Sequence, residues 1–317
     1  MRIRRAFATG LLTLTPALTG CLRHTRTVPK THPPAVVLDA TLDQLLKQAD
    51  DRYDAIHSVT FKGKLIATTG GADKGEITHY PELTTYIVIS KPQQIRLILV
   101  VPVYGSVLDM VSDGKNFKMH LTFPGKNCAY TGSDQVTNTS QKGLYSLRPA
   151  AILDPLLIEG LKPNQVVSMT QDSRIITDPK KRKELIDDPD YDLEFLSLPE
   201  GHVARSQHVV HIDRMNLLPW RQDIYNADGK VETTALYSNY KQFGDVNFPT
   251  KIVIQRPLDD LFLTITVDKA IFNQELASDQ FKLDIPNGVT VANMDDPVSA
   301  STNPCYAHPA AAAPPAK

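Results

Sequence analysis

Seven short apolar or β-branched runs follow one another at even spacing through the second half of the chain. They are Tyr191 to Leu198, Val203 to Ile212, Pro219 to Asn226, Val231 to Tyr240, Phe248 to Gln255, Leu261 to Ala270 and a last one near Phe281 to Ile285. Turn-forming stretches stand between them, among them Pro199-Glu200-Gly201, Asn226-Ala227-Asp228-Gly229, Gly244-Asp245-Val246-Asn247 and Pro257-Leu258-Asp259-Asp260. Connections this short join antiparallel neighbours, and a sheet of so many strands curls rather than staying flat. A curled sheet has a concave face, and the rest of the chain must supply its cover.

The first half supplies more strands and the cover. Val59, Phe61, Gly63, Leu65 and Ala67 alternate with Thr60, Lys62, Lys64 and Ile66, giving one apolar and one mainly wet face. Ile77 to Ser90 is expected to return antiparallel, followed by strands over Ile95 to Val101 and Val107 to Val111, and by alternation at Phe117, Met119, Leu121 and Phe123. Arg96, Pro102 and Asp109 interrupt this region well short of a membrane span. Ahead of it, Thr41 and Gln44 form a capping box, and Leu42, Leu45, Leu46, Ala49, Tyr53 and Ile56 recur on one helical face. Ile152, Leu153, Leu156, Leu157 and Leu161 also have helical spacing, but Pro155 predicts two short helices or one kinked one. The charged stretch Asp172 to Asp190 reads as a solvated loop between strands. The fold class expected is therefore mainly β with α, a curled antiparallel sheet with helices covering its concave face. The folded domain is placed at 38–291.

The chain opens on a different kind of signal. Arg2, Arg4 and Arg5 precede an apolar segment from Ala6 to Ala17, and small residues precede Cys21. Leu18-Thr19-Gly20-Cys21 resembles the lipobox of bacterial lipoproteins, in which the signal is cut before the cysteine and that cysteine receives diacylglycerol and an N-acyl chain. Residues 1–20 are thus expected to be a signal peptide and Cys21 the lipid attachment site; the alternative is cleavage near Gly20 or Ala17 with a free thiol at Cys21. Chains on one residue make anchoring effectively permanent, at about 0.8 kcal/mol per buried methylene. Leu22 stands where the resembling proteins use Asp for inner-membrane retention, which implies the outer membrane, with the domain facing the periplasm, in a diderm source. Residues 21–37 read as an extended tether and 292–317 as a Pro/Ala-rich disordered tail. The 34 basic and 35 acidic residues balance, and loss of the three signal arginines leaves 31 against 35, so nothing points to nucleic acid. Cys128 and Cys305 are free to pair in an oxidising compartment or to remain two thiols.

The order of helix, strands, helix pair and more strands resembles the LolA/LolB-like carriers of lipoproteins. Local stretches carry the likeness: Ser90-Lys91-Pro92 before Ile95-Arg96; Ser112-Asp113-Gly114-Lys115; and the series Asp213, Leu218-Pro219, Tyr225, Asp228-Gly229, Tyr240 and Phe248-Pro249. The resemblance implies an unclosed half-barrel whose apolar hollow receives acyl chains, with Phe61, Leu65, Tyr86, Val88, Leu97, Leu99, Met110, Met119 and Leu121 as candidate cargo-lining residues. The expected partners are membrane lipid or lipoprotein acyl chains, with an envelope protein partner as the other reading, in which the same fold acts as a sensor without lipid cargo. A monomer is expected. Lys91 stands where the soluble shuttles carry arginine.

Catalytic and metal chemistry find little support. His208 and His211, three apart in a strand, point to opposite faces and cannot chelate one ion. Asp187, Asp188, Asp190 and Asp192 lack the central glycine and final glutamate of a calcium loop. No GxSxG elbow, phosphate-binding glycine loop or HExxH helix is present. No enzyme activity, metal or cofactor beyond the lipid on Cys21 is expected.

Overall fold

The computed structural model describes residues 26–71, 75–123, 126–134, 147–178, 180–181, 183–198 and 201–296. Cys21 and Cys305 lie outside them. The strands are β1 (Thr31–His32), β2 (Ser58–Gly71), β3 (Glu76–His79), β4 (Leu83–Ser90), β5 (Gln94–Val101), β6 (Gly105–Ser112), β7 (Asn116–Phe123) and β8 (Lys126–Ser133). After a second helix come β9 (Gln165–Thr177), β10 (Leu185–Ser197), β11 (Ser206–Asp213), β12 (Leu218–Tyr225), β13 (Val231–Phe243), β14 (Val246–Arg256), β15 (Leu261–Phe272) and β16 (Thr290–Asn293). The helices are α1 (Leu42–Asp54) and α2 (Ala150–Leu156). The described residues form two compact units: those within 36–173 and 189–296, and those within 26–35 and 174–188.

In the larger unit the strands follow the order β10-β11-β12-β13-β14-β15-β2-β4-β5-β6-β7-β8-β16, with β3 beside β2. Only β16 joins its neighbour in parallel; the remaining pairs along this path are antiparallel. The two ends of the order do not pair, so the sheet curls without closing. One source of the curl is visible where β15 meets β2. The register shifts by a residue between Val267 and Lys269, opposite Gly63. A Cβ on Gly63 would stand 2.0 Å from the Thr266 carbonyl oxygen, so only glycine admits the close approach that this bulge makes.

The inner face is continuous. Phe61, Ile87, Leu97, Met110, Met119 and Tyr130 stand opposite one another in successive ladders from β2 to β8, and all are fully buried. They pack in one cluster with α2 through Ala151, Ile152, Leu153 and Leu156. A second cluster sits on the other wing, where Leu45 of α1 meets Tyr191, Leu193, Phe195, Val210 and Ile212. Two helices thus cover two apolar patches of one curled sheet.

Several expectations are corrected. Tyr86 and Val88 face outward: β4 buries Leu83, Thr85, Ile87 and Ile89, and Tyr86 lies under the Lys62 ammonium at the surface. The other seven candidate lining residues are on the inner face but form a filled core. Asp172 to Asp190 is no loop, since β9 runs to Thr177 and β10 starts at Leu185. Its alternate aspartates are matched instead of solvated: Asp188, fully buried, accepts from Arg174 at 2.8 and 2.9 Å, and Asp190 accepts from the Trp220 indole at 3.0 Å. The end of the tether pairs as β1 with Leu185 and Ile186, within the smaller unit, where His32 also reaches Glu184 at 3.2 Å. The strand expected near Phe281 is a short 3-10 turn at Ser278–Phe281, and the last strand is β16. Past it Met294 is buried and Asp295 pairs with Arg148 at 3.0 Å, so order runs beyond Val291. α2 is one short helix with Pro155 inside it.

Candidate functional site

α1 forms where its sequence says it must. The Thr41 hydroxyl accepts from the Gln44 amide at 3.3 Å, and the Gln44 side chain accepts from the Thr41 amide at 2.9 Å, closing the capping box. The other end is held from outside. The Lys91 ammonium donates to the Tyr53 carbonyl and lies 3.4 Å from the centroid of the Tyr53 ring. A cation at a helix C-terminus meets carbonyls that have no intrahelical partner. Lys91 therefore fastens α1 to the β4–β5 turn. Burial lowers its pKa, against the raising influence of Asp54 and Glu159.

α2 is fastened through its proline. Pro155 removes a backbone donor, and the helix ends one residue later. The Tyr237 hydroxyl lies 2.9 Å from the Pro155 carbonyl oxygen and 2.9 Å from the Gln222 side-chain oxygen, so the end of α2 is tied to the inner face of β13. Burial raises the Tyr237 pKa well above its ordinary value, keeping the phenol neutral.

Between the two helices, where the two apolar clusters meet, lies a cavity of about 60 Å³. α1 contributes Ala49, Arg52, Tyr53 and Ile56; the end of α2 and the residues after it contribute Leu156, Leu157, Ile158 and Glu159. The sheet contributes Leu193, Phe195, Val210, Ile212, Pro219, Tyr237, Tyr240, Asn247, Phe248 and Pro249, from β10 through β14. Ile158 packs against both clusters and so marks the seam. None of the nine residues expected to line a cargo site borders this cavity. At this size it has room for about two water molecules, and it is smaller than the apolar cavities of about 150 Å³ that take benzene. A space of this size does not bury a whole acyl chain unless α1 or α2 shifts.

The two histidines follow the opposite-face expectation. His208 is on the inner face, stacked on Phe195, and burial together with Lys162 pushes its pKa down to about 4. His211 is on the outer face, with Nδ1 2.6 Å from Asp192 and Nε2 3.2 Å from Asp223. Burial alone would lower His211, but its two carboxylate hydrogen bonds outweigh that and lift it to about 9. Asp190, Asp192 and His211 are spaced closely enough to hold a metal ion, but a histidine donating from both nitrogens has no lone pair to offer one. Cys128 is fully buried and disulfide-bonded. Among the described residues no helix is long and apolar enough to cross a membrane.

No family model matches the chain, and no curated protein matches it. Solved structures are similar to it in fold. A LolA superfamily protein from Nitrosomonas europaea is 12% identical with a TM-score of 0.45, covering 77% of this chain and 99% of that one. A DUF1329 family protein from Desulfovibrio piger is 14% identical with a TM-score of 0.47, covering 75% and 94%. A domain from Vibrio parahaemolyticus, described as outer membrane lipoprotein-sorting, is 11% identical with a TM-score of 0.44, covering 75% and 94%. At these identities the likeness is one of fold alone.

Proposed function

We propose that this chain is a membrane-anchored lipoprotein that binds lipid, or the acyl chains of other lipoproteins, between α1, α2 and the inner face of β10 to β14, and passes them on without chemistry. The observation that carries the reading is the seam. Two separately packed apolar clusters meet at a cavity under two short, individually fastened helices, so α1 can lift at the seam while α2 keeps the filled core around Leu97 and Met119 covered. An acyl chain laid between them regains about 25 cal/mol for each square ångström of apolar surface it covers. The lipid on Cys21 belongs to the same proposal and places the domain at the periplasmic face of the outer membrane in a diderm source.

Photolabelling of the full chain in proteoliposomes with a diazirine fatty acid tests the cargo reading. Adducts on Leu157, Ile158 or Phe248 are expected. Labelling confined to residues outside the cavity would overturn it and favour the envelope-interaction reading. The anchor is tested separately: Cys21→Ser is expected to abolish incorporation of radioactive palmitate, and unchanged incorporation would sink the lipobox assignment.

A further inference from the structure

Arg52 stands on the face of α1 that the fold buries, three residues from Ala49 and one from Tyr53, and lines the apolar cavity with them. A guanidinium placed there is costly unless its charge is met. Elsewhere among the described residues the partly buried arginines each have a carboxylate: Arg96 has Asp109, Arg148 has Asp295, Arg174 has Asp188 and Arg256 has Glu232. Arg52 has only neutral partners, the Gln48 side-chain oxygen at 3.1 Å and the Leu217 carbonyl at 2.5 Å. Both are reached through Nη2, which leaves Nε and Nη1 without a hydrogen bond among the described residues.

The rest of the lining does not answer this charge. Glu159, the acid among the lining residues, is held by Lys162. The Tyr240 hydroxyl is committed to the Pro219 carbonyl at 2.8 Å. The cavity is therefore apolar along its length with one unmatched positive group at its wall, which is the pattern of an amphiphile site with an anionic head. We infer that Arg52 receives the oxyanion, carboxylate or phosphate, of an amphiphile whose hydrocarbon tail lies in the cavity between α1 and α2. The inference rests on the lipid-binding reading and adds to it the charge of the head group. Burial lowers the Arg52 pKa, with Tyr240 opposing, but a guanidinium stays protonated at any pH of interest.

The test is competition against the diazirine fatty acid on the full chain in proteoliposomes of zwitterionic lipid, using palmitate, hexadecyl phosphate and hexadecanol. For the unmodified chain at least one of the anions is expected to compete about tenfold better than the alcohol, the range of a charged hydrogen bond in a partly buried site. Advantage for palmitate alone identifies a carboxylate head; advantage for hexadecyl phosphate alone, a phosphate head. Arg52→Gln is expected to erase the advantage and leave hexadecanol unchanged, and Arg52→Lys to keep part of it. Equal competition by all three would overturn the head-group inference while leaving lipid binding intact. Absence of any cavity labelling would overturn both. Should Arg52→Gln fail to fold, the anion-to-alcohol ratio of the unmodified chain and of Arg52→Lys still decides.

Discussion

His208 and Phe195 stand directly opposite each other in the β10–β11 ladder, their rings stacked with centroids 4.2 Å apart and planes 12° from parallel. The pair holds an imidazole inside an apolar cluster, and its buried Nε2 makes no hydrogen bond.

That placement makes the protein acid-sensitive. The folded pKa of His208, about 4, lies below its ordinary 6.5, so the native state binds the proton later than the unfolded chain. The stability this burial contributes is complete above about pH 6.5 and drains as pH falls toward 4, by roughly 2–3 kcal/mol in all. Asp154, pushed up to about 6 by burial, works in the opposite sense over part of that range. The difference between the unmodified chain and His208→Phe isolates the histidine. In urea unfolding between pH 7 and 4, His208→Phe is expected to lose less stability, and parallel curves would refute the assignment.

His211, three residues along on the outer face, gives the reverse dependence. Its folded pKa of about 9 exceeds 6.5, so its contribution is fully present below about pH 6.5 and is lost as pH rises through 9. The site is partly open to solvent, which screens the two ion pairs to about 1–2 kcal/mol together. The imidazole signals of His211 are expected to titrate near pH 9 by NMR. His211→Gln should remove the alkaline loss relative to the unmodified chain, and a His211 midpoint near 6.5 would show that the Asp192 and Asp223 contacts do not form.

Much of this architecture was legible along the chain, for reasons that also explain what was not. The capping box at Thr41 and Gln44 is local chemistry, and the alternation through Phe61 and Leu65 has one polar and one apolar parity. Tyr86, Ile87, Val88 and Ile89 offer apolar side chains at both parities, so period alone assigns no face. Only the pairing of Phe61 with Ile87 decides that Ile87 is inside. The alternate aspartates of β10 look like loop charge because Arg174 and Trp220, which match them, arrive from other strands. The cavity could not be read at all: Arg52, Leu157, Phe195 and Phe248 come from α1, the segment after α2, β10 and β14, spread over nearly 200 positions. The one local signal was Arg52 itself, a charge on an otherwise apolar helical face.

Lys91 holds the C-terminal end of α1. Its ammonium caps the Tyr53 carbonyl and covers the Tyr53 ring, and methionine would keep the packing without the charge. Lys91→Met is expected to cost about 1 kcal/mol and to speed hydrogen exchange in the last turn of α1, while the β2–β15 ladder stays protected. Uniformly faster exchange across both would mean that α1 does not open as a local unit.

Filled core and candidate site are separable by two substitutions of opposite sense. Leu97 is fully buried between Ile87 and Met110, in the row of side chains that runs from Phe61 to Tyr130, and borders no part of the cavity. Leu97→Ala is expected to destabilise by about 2–5 kcal/mol through the hole it leaves, with cavity photolabelling unchanged in the fraction that folds. Val210 lies on the cavity wall, beside Ile212 on β11. Val210→Phe places a ring in the existing space, where overpacking typically costs about 1–3 kcal/mol, and is expected to suppress photolabelling while the protein still folds. If Leu97→Ala rather than Val210→Phe abolished labelling, cargo would occupy the β2–β8 wing after all, and the seam beneath Ile158 would be packing alone.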